Sequence, residues 1–275
     1  QQLATSAKLN AFIKIVFFKP FMPFTLSHAV LAPVMSRLSR GHLPLAALVF
    51  GCMLPDIYRM FTIDSGKISH LWSGQLYPNL IIGLAFCSLW YVLYRPMLYQ
   101  LLDLAHPLSI KNFKQWLRFT VLVILALILG NATHILWDGL THVDFRTLIL
   151  HDFLSQPIHA FGMHYPLHFI LQITSSAVAL PFLVYWIYTY CQKHRTEAVA
   201  TTRIKSSIWL SIIVSLLTAS AWTWGYFASF EWSTVVREPY YFLGRGFNEF
   251  SQAFLLSETL ALTCIALWQQ FSSAK

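Results

Sequence analysis

Six stretches of this chain are long and apolar enough to be considered as membrane spans, and that feature narrows the possible folds more than any motif does. They are 43–60, 76–94, about 119–140, about 167–190, 207–230 and 251–271. A transmembrane helix needs roughly 20 predominantly apolar residues to cross the hydrocarbon core. Only helices and closed barrels can satisfy their own backbone groups there. Neither strand-like alternation nor a repeat of 20–50 residues stands out. The expectation is therefore an all-α fold, a polytopic transmembrane helical bundle. The first stretch is the weakest, because Pro44, Pro55 and Asp56 interrupt it. Composition agrees. Only 11% of residues are charged, against ~25% in a typical soluble domain. Aromatic residues make up 16%, and Trp and Tyr recur near segment ends, where interfacial belts sit.

Net charge is +8, but the basic residues fall in short loops. They read as topology signals, and no nucleic-acid partner is expected. The four cysteines (52, 87, 191 and 264) form no Cys-x-x-Cys pair and read as inert buried thiols. Residues 1–21 read as an N-terminal extension, interfacial or non-native, because 11–21 is too short and too basic to span. Residues 22–275 read as a single integral membrane domain. Loops 95–118 and 192–206 carry four basic residues each against one acid, which places them in the cytoplasm. The polar ends of the first and third spans, near Asp56 and near His134 to His142, then converge on the non-cytoplasmic face.

Histidine placement is the informative chemistry. In NATHILWDGLTH (131–142), His134, Asp138 and His142 stand four residues apart, which stacks them along one helix face. Imidazole with carboxylate suits Zn²⁺ or another divalent ion. An ionisable group within a span is costly and so a functional candidate. The competing reading is a polar helix end near the headgroups. Asp56 follows Pro55 near the end of the first apolar stretch, where a proline frees backbone groups. His70, in Ile68-Ser-His70, and His28, in Thr25-Leu-Ser-His28, complete a candidate ligand set of His28, Asp56, His70, His134, Asp138 and His142. Asp56 and Asp138 are also the candidate catalytic carboxylates. A second tier holds His164 and His168, four residues apart across Pro166, together with His159 and with Glu258 inside the last apolar stretch. His42, His106 and His194 lie in basic regions and are set aside. For His28 to join an outer site while Arg37 and Arg40 point inward, a short membrane-penetrating helix over about 25–40 is required, giving six to seven membrane helices. No Walker loop, dinucleotide fingerprint, nucleophile elbow or His-Glu-x-x-His motif is present.

The opening Met22-Pro-Phe-Thr-Leu-Ser-His28, with Pro-Asp56, Ser-His70 and Thr-His134-x-x-x-Asp138, resembles a bacterial membrane family known as domain of unknown function 4184. The same set is similar to the YdjM-like membrane-bound metal-dependent hydrolases and, more distantly, to zinc-dependent phospholipase C and the S1/P1 nucleases. The resemblance implies a phospholipase C-like helical core and one to three Zn²⁺ or other divalent ions. It also implies a hydrolase in the bacterial inner membrane, its active face periplasmic, acting as a phosphoesterase on a membrane lipid or lipid-linked substrate. Two departures stand out. Gln172-Ile-Thr-Ser-Ser replaces the Gln-His-Gly-Ser-Ser frequent in the first family, and His164-x-x-x-His168 replaces the His-x-x-x-Glu of the soluble enzymes. The alternatives are a transporter or ion-handling protein using the same cluster, and an inactive scaffold.

Overall fold

The computed structural model describes residues 25–62, 67–160, 163–197 and 200–273. The extension 1–21 and the Met22-Pro-Phe opening lie outside the described residues. The described residues group into two compact units, within Phe24–Lys205 and within Ser206–Lys275.

The first unit begins with four short helices: α1 (Thr25–His28), α2 (Leu31–Leu38), α3 (Leu45–Gly51) and α4 (Leu54–Phe61). A long, kinked α5 (Trp72–Leu102) follows, then α6 (Phe113–Thr141), α7 (His151–Leu154), the hairpin β1 (Pro157–Ala160) with β2 (Met163–Pro166), and α8 (Leu167–His194). The second unit holds most of α9 (Thr202–Ala228), then α10 (Trp232–Arg237) and α11 (Pro239–Ser273).

Five helices are long and apolar enough to cross a membrane: α5, α6, α8, α9 and Tyr241–Ser272 of α11. Two of the expected crossings are absent among the described residues. The stretch 43–60 breaks at Cys52–Met53 into α3 and α4, of 7 and 8 residues. At 1.5 Å per residue neither approaches the ~30 Å of a hydrocarbon core. Pro55, in the first turn of α4, has no N–H to continue α3's hydrogen-bond ladder. The expected helix over 25–40 is likewise two short pieces. They run alongside α8 all the same: Ser27 Oγ lies 3.2 Å from Ser176 Oγ, and the Arg37 guanidinium sits 4.0 Å over the Trp186 ring.

The core of this unit is the packing of α3 against α6. Ala47, Leu48, Cys52, Leu54, Val123, Ala126 and Leu127 are buried together. Two glycines permit the close approach. A Cβ on Gly51 would lie 2.7 Å from Leu127 O, and one on Gly130 would lie 2.6 Å from Leu48 O. Helix α6 is launched by Asn112, whose side chain accepts the Gln115 N–H at 2.9 Å, an N-cap that satisfies one orphan donor. It ends at Thr141, with His142 extended (φ −128°).

Candidate metal centre

The α3–α6 contact brings the Pro-Asp element onto the His-x-x-x-Asp face. Cys52 ends α3, and its carbonyl lies 2.8 Å from His134 Nδ1. A carbonyl only accepts, so Nδ1 carries a hydrogen. In the neutral ring the lone pair is then on Nε2. That atom is buried, has no hydrogen-bond partner among the described residues, and faces Asp138 Oδ2 at 3.5 Å. A lone pair turned towards a carboxylate oxygen is repulsive, so the contact calls for a positive charge between the two atoms, either a proton on Nε2 or a metal ion.

His70 is held in a parallel way. Ser69 Oγ donates to Pro55 O at 3.0 Å and lies 3.1 Å from His70 Nδ1. With its own hydrogen committed, the hydroxyl accepts from Nδ1–H. The Nε2 edge points at Asp56 Oδ1, 3.4 Å away, and at Asp138 Oδ2, 3.7 Å away. Asn79, fully buried, donates to Ser69 O at 2.7 Å and to Asn131 Oδ1 at 3.3 Å. This fixes the short turn carrying His70 against α6. His28 stacks on His134, ring centroids 4.0 Å apart, with its Nε2 3.7 Å from Asp138 Oδ1.

These distances fit a metal. Two ligands each 2.0–2.1 Å from a tetrahedral Zn²⁺ stand roughly 3.3 Å apart, and the observed donor separations begin at 3.4 Å. Two sets of donors, each within 4.8 Å of one another, meet the requirement: His28, Asp56 and His134, and His70, His134 and Asp138. Burial, with His134 alongside, pushes His28 down to about 3, so the ring is neutral at pH 7 and its lone pair is available.

His142 joins the centre differently. Its Nδ1 is 3.5 Å from Asp138 Oδ1 but is also shared with Thr141 Oγ1 and Asp138 O, each at 3.2 Å. Its Nε2 accepts from the Gln172 amide at 3.1 Å. The departure at 172–176 is thus part of the site: Gln172 steadies His142, and Ser176 meets Ser27. His159 and His164 face each other across the hairpin, exposed, with centroids 4.6 Å apart. Because α8 starts only at Leu167, His164 shares no helix face with His168. The His168 ring reaches the Thr141 backbone instead. Glu258 belongs to the second unit, buried, where it accepts from Ser211 Oγ at 3.0 Å.

Sequence reasoning missed Arg146. Its Nη1 donates to Asp138 Oδ2 at 3.1 Å, and its Nε donates to both Asp144 oxygens, at 3.0 and 3.2 Å. Burial opposes its charge, but Asp144 and Asp138 outweigh that cost and raise its pKa. The one available signal was an Asp-x-Arg beginning two residues after His142. A small cleft beside His28 is lined by Ser27, Leu31, Thr133, Trp137, Ser175 and Ala179, so it lies between two apolar helices, α6 and α8.

A family model described as "Domain of unknown function (DUF4184)" matches residues 22–262. No curated protein and no solved structure matches the chain.

Proposed function

This chain belongs to the DUF4184 family, whose description names no activity, and from its own residues we propose that it is a membrane-embedded, metal-dependent hydrolase acting on a lipid-linked phosphoester. The observation that carries the reading is His134: tied at Nδ1 by a main-chain carbonyl, it turns a buried lone pair towards Asp138 at a separation suited to joint ligation. Both donor sets use His134, and one Nε2 has one lone pair, so the described residues support one ion at a time. Two carboxylates, Asp56 and Asp138, balance a single divalent charge, while Asp144 and Arg146 neutralise each other. That balance suits a buried site, where a net charge is expensive.

When bound, Zn²⁺ or a similar divalent ion would supply a Lewis acid and a water acidic enough to lose its proton near neutral pH. Asp138 is shared by His28, His70, His134 and Arg146 and acts as the organising ligand. Asp56 has fewer partners, and its carboxylate would accept a hydrogen bond from an attacking water and orient it. The Arg146 guanidinium has N–H groups to spare and would hold an anionic phosphoryl oxygen. A membrane-borne substrate would, in this reading, reach the centre laterally, from the bilayer. In this reading the protein sits in the bacterial inner membrane with the centre at the periplasmic face.

The test is bound metal in detergent-purified wild type and in His134→Ala combined with Asp138→Ala, followed by phosphate release from lipid phosphoesters. The expected outcome is one divalent ion per wild-type chain, none in the variant, and release only by wild type. Wild type that stays metal-free after gentle purification and zinc repletion refutes the proposal. Metal binding without phosphate release favours an ion-handling protein or scaffold.

A further inference from the structure

We propose that the end of the first unit farthest from the His/Asp centre binds the phosphate of an anionic lipid headgroup, through Arg95, His106 and His194. The centre sits on the 134–141 end of α6 and on His142 just past it, beside 168–176 of α8. Tyr190 and His194 close the other end of α8, and the 103–112 segment precedes the other end of α6.

Two loops distant in sequence are sewn together there. Leu104 and Arg195 form a β-bridge. Ala105 N–H donates to His194 O at 2.8 Å, and Thr196 N–H donates to Asp103 O at 2.9 Å. Asp103, left-handed at φ 52°, engages Lys205 Nζ at 2.5 Å, so the carboxylate that anchors the loops is spent on its own lysine.

The clamp sets His106 flat against His194, centroids 4.2 Å apart and planes 15° from parallel. Tyr190 Oη lies 2.8 Å from His106 Nδ1, and the Tyr99 and Tyr190 hydroxyls are 2.5 Å apart. The Arg95 guanidinium lies 4.4 Å over the Tyr99 ring and donates to His106 O. The interactions that lower the pKa of His106, after partial burial, come from His194, Arg95 and Lys193, and no carboxylate offsets them. The cluster thus sets the charges of Arg95 and Lys193 beside two stacked imidazoles. His106 Nε2 and the remaining Arg95 N–H groups are donors with geometry suited to phosphate oxygens.

A lipid is the fitting source of that phosphate. Along the two helices, Trp90, Tyr91 and Tyr94 directly precede Arg95, and Trp186 and Tyr188 directly precede Tyr190, aromatic residues of the kind enriched at the headgroup level. Basic pockets between membrane helices hold anionic headgroups by this chemistry. Val92 and Ile187, both largely exposed, offer apolar surface to the acyl chains.

The experiment uses the full chain in a neutral detergent, with unfolding followed by tryptophan fluorescence. Dioleoyl-phosphatidylglycerol, dioleoyl-phosphatidylcholine and inorganic phosphate are titrated separately. Phosphatidylglycerol should raise the midpoint by about 5 °C, and the other two should have little effect. His106→Gln with His194→Gln should lose most of that rise. Lys193→Gln, on an exposed side chain that leaves the clamp intact, should lose part of it. His159→Gln with His164→Gln, the other facing pair, should keep all of it. An undiminished rise in the His106/His194 or Lys193 variants overturns the proposal. So does an equal rise with phosphatidylcholine, or a full rise with inorganic phosphate alone.

Discussion

Replacing Gly130 with alanine should damage the metal centre without touching any ligand. The new Cβ would lie 2.6 Å from Leu48 O, 2.8 Å from Cys52 N and 2.9 Å from Gly51 C. Carbon and carbonyl oxygen ordinarily come no closer than about 3.3 Å, so α3 must retreat by ~0.7 Å from α6. The colliding atoms are backbone, so no side-chain rotation relieves them. Overpacking of this kind costs about 1–3 kcal/mol. The same retreat stretches the 2.8 Å contact between Cys52 O and His134 Nδ1 to roughly 3.5 Å, past the range of a hydrogen bond. Loss of such an outer partner typically lowers metal affinity about 10–100-fold. The assay is zinc affinity by competition with a chromophoric chelator, beside the thermal midpoint. Gly225→Ala is the control: nothing lies within 4 Å of its Cβ, and alanine in the interior of α9 should stabilise by up to about 1 kcal/mol. A Gly130→Ala protein that binds zinc as tightly as wild type and melts where wild type melts would refute the argument.

Three further outcomes are expected. Asn79→Ala should cost about 2–3 kcal/mol, by removing the buried amide that donates to Ser69 O and Asn131 Oδ1 and opening a small void; because that turn aims His70, zinc affinity should fall with the melting point. In the second unit, Ser211→Ala removes a donor from the buried Glu258 carboxyl and should destabilise by about 1–2 kcal/mol, whereas Ser211→Thr, which keeps the hydroxyl, should cost less when their midpoints are compared. Asp103 has its pKa lowered mainly by Lys205. A depressed carboxyl pKa means stability present above its ordinary value, near 4, and lost as pH falls below it. Hydrogen exchange at the Ala200 amide, which donates to Asp103 Oδ1 at 3.4 Å, should therefore keep its protection down to about pH 4 in wild type and lose it as pH falls further, and be low throughout in Asp103→Asn.

The helical bundle was legible in the sequence because apolar length in a bilayer leaves few alternatives. The stretch 43–60 is apolar enough to span, but apolarity does not report the break at Cys52–Met53 that leaves helices of 7 and 8 residues. On the site, the four-residue spacing of His134 and Asp138 and the Pro-Asp at 56 pointed to side chains that do converge. His142 kept the same spacing, yet its ring is turned to Thr141 and Gln172, since the helix ends one residue before it and spacing no longer fixes direction. Arg146 looked like an ordinary loop charge, because burial of a long side chain depends on the path of the chain after His142. His106 and His194 had been set aside as separate basic residues. Only the pairing of two loops far apart in sequence puts one ring on the other.

The two imidazoles nearest the carboxylates are oriented through main-chain oxygens, of Cys52 directly and of Pro55 by way of Ser69. A side-chain scan over 52–55 would therefore pass over these two contacts, since an oxygen present in every residue type survives every substitution that keeps the chain's course. An inserted or deleted residue in the same interval would rotate both carbonyls away from their rings. In this segment the spacing of the chain between Gly51 and Asp56 carries information that residue identity does not, so related sequences can differ in letters there while being unable to differ in length.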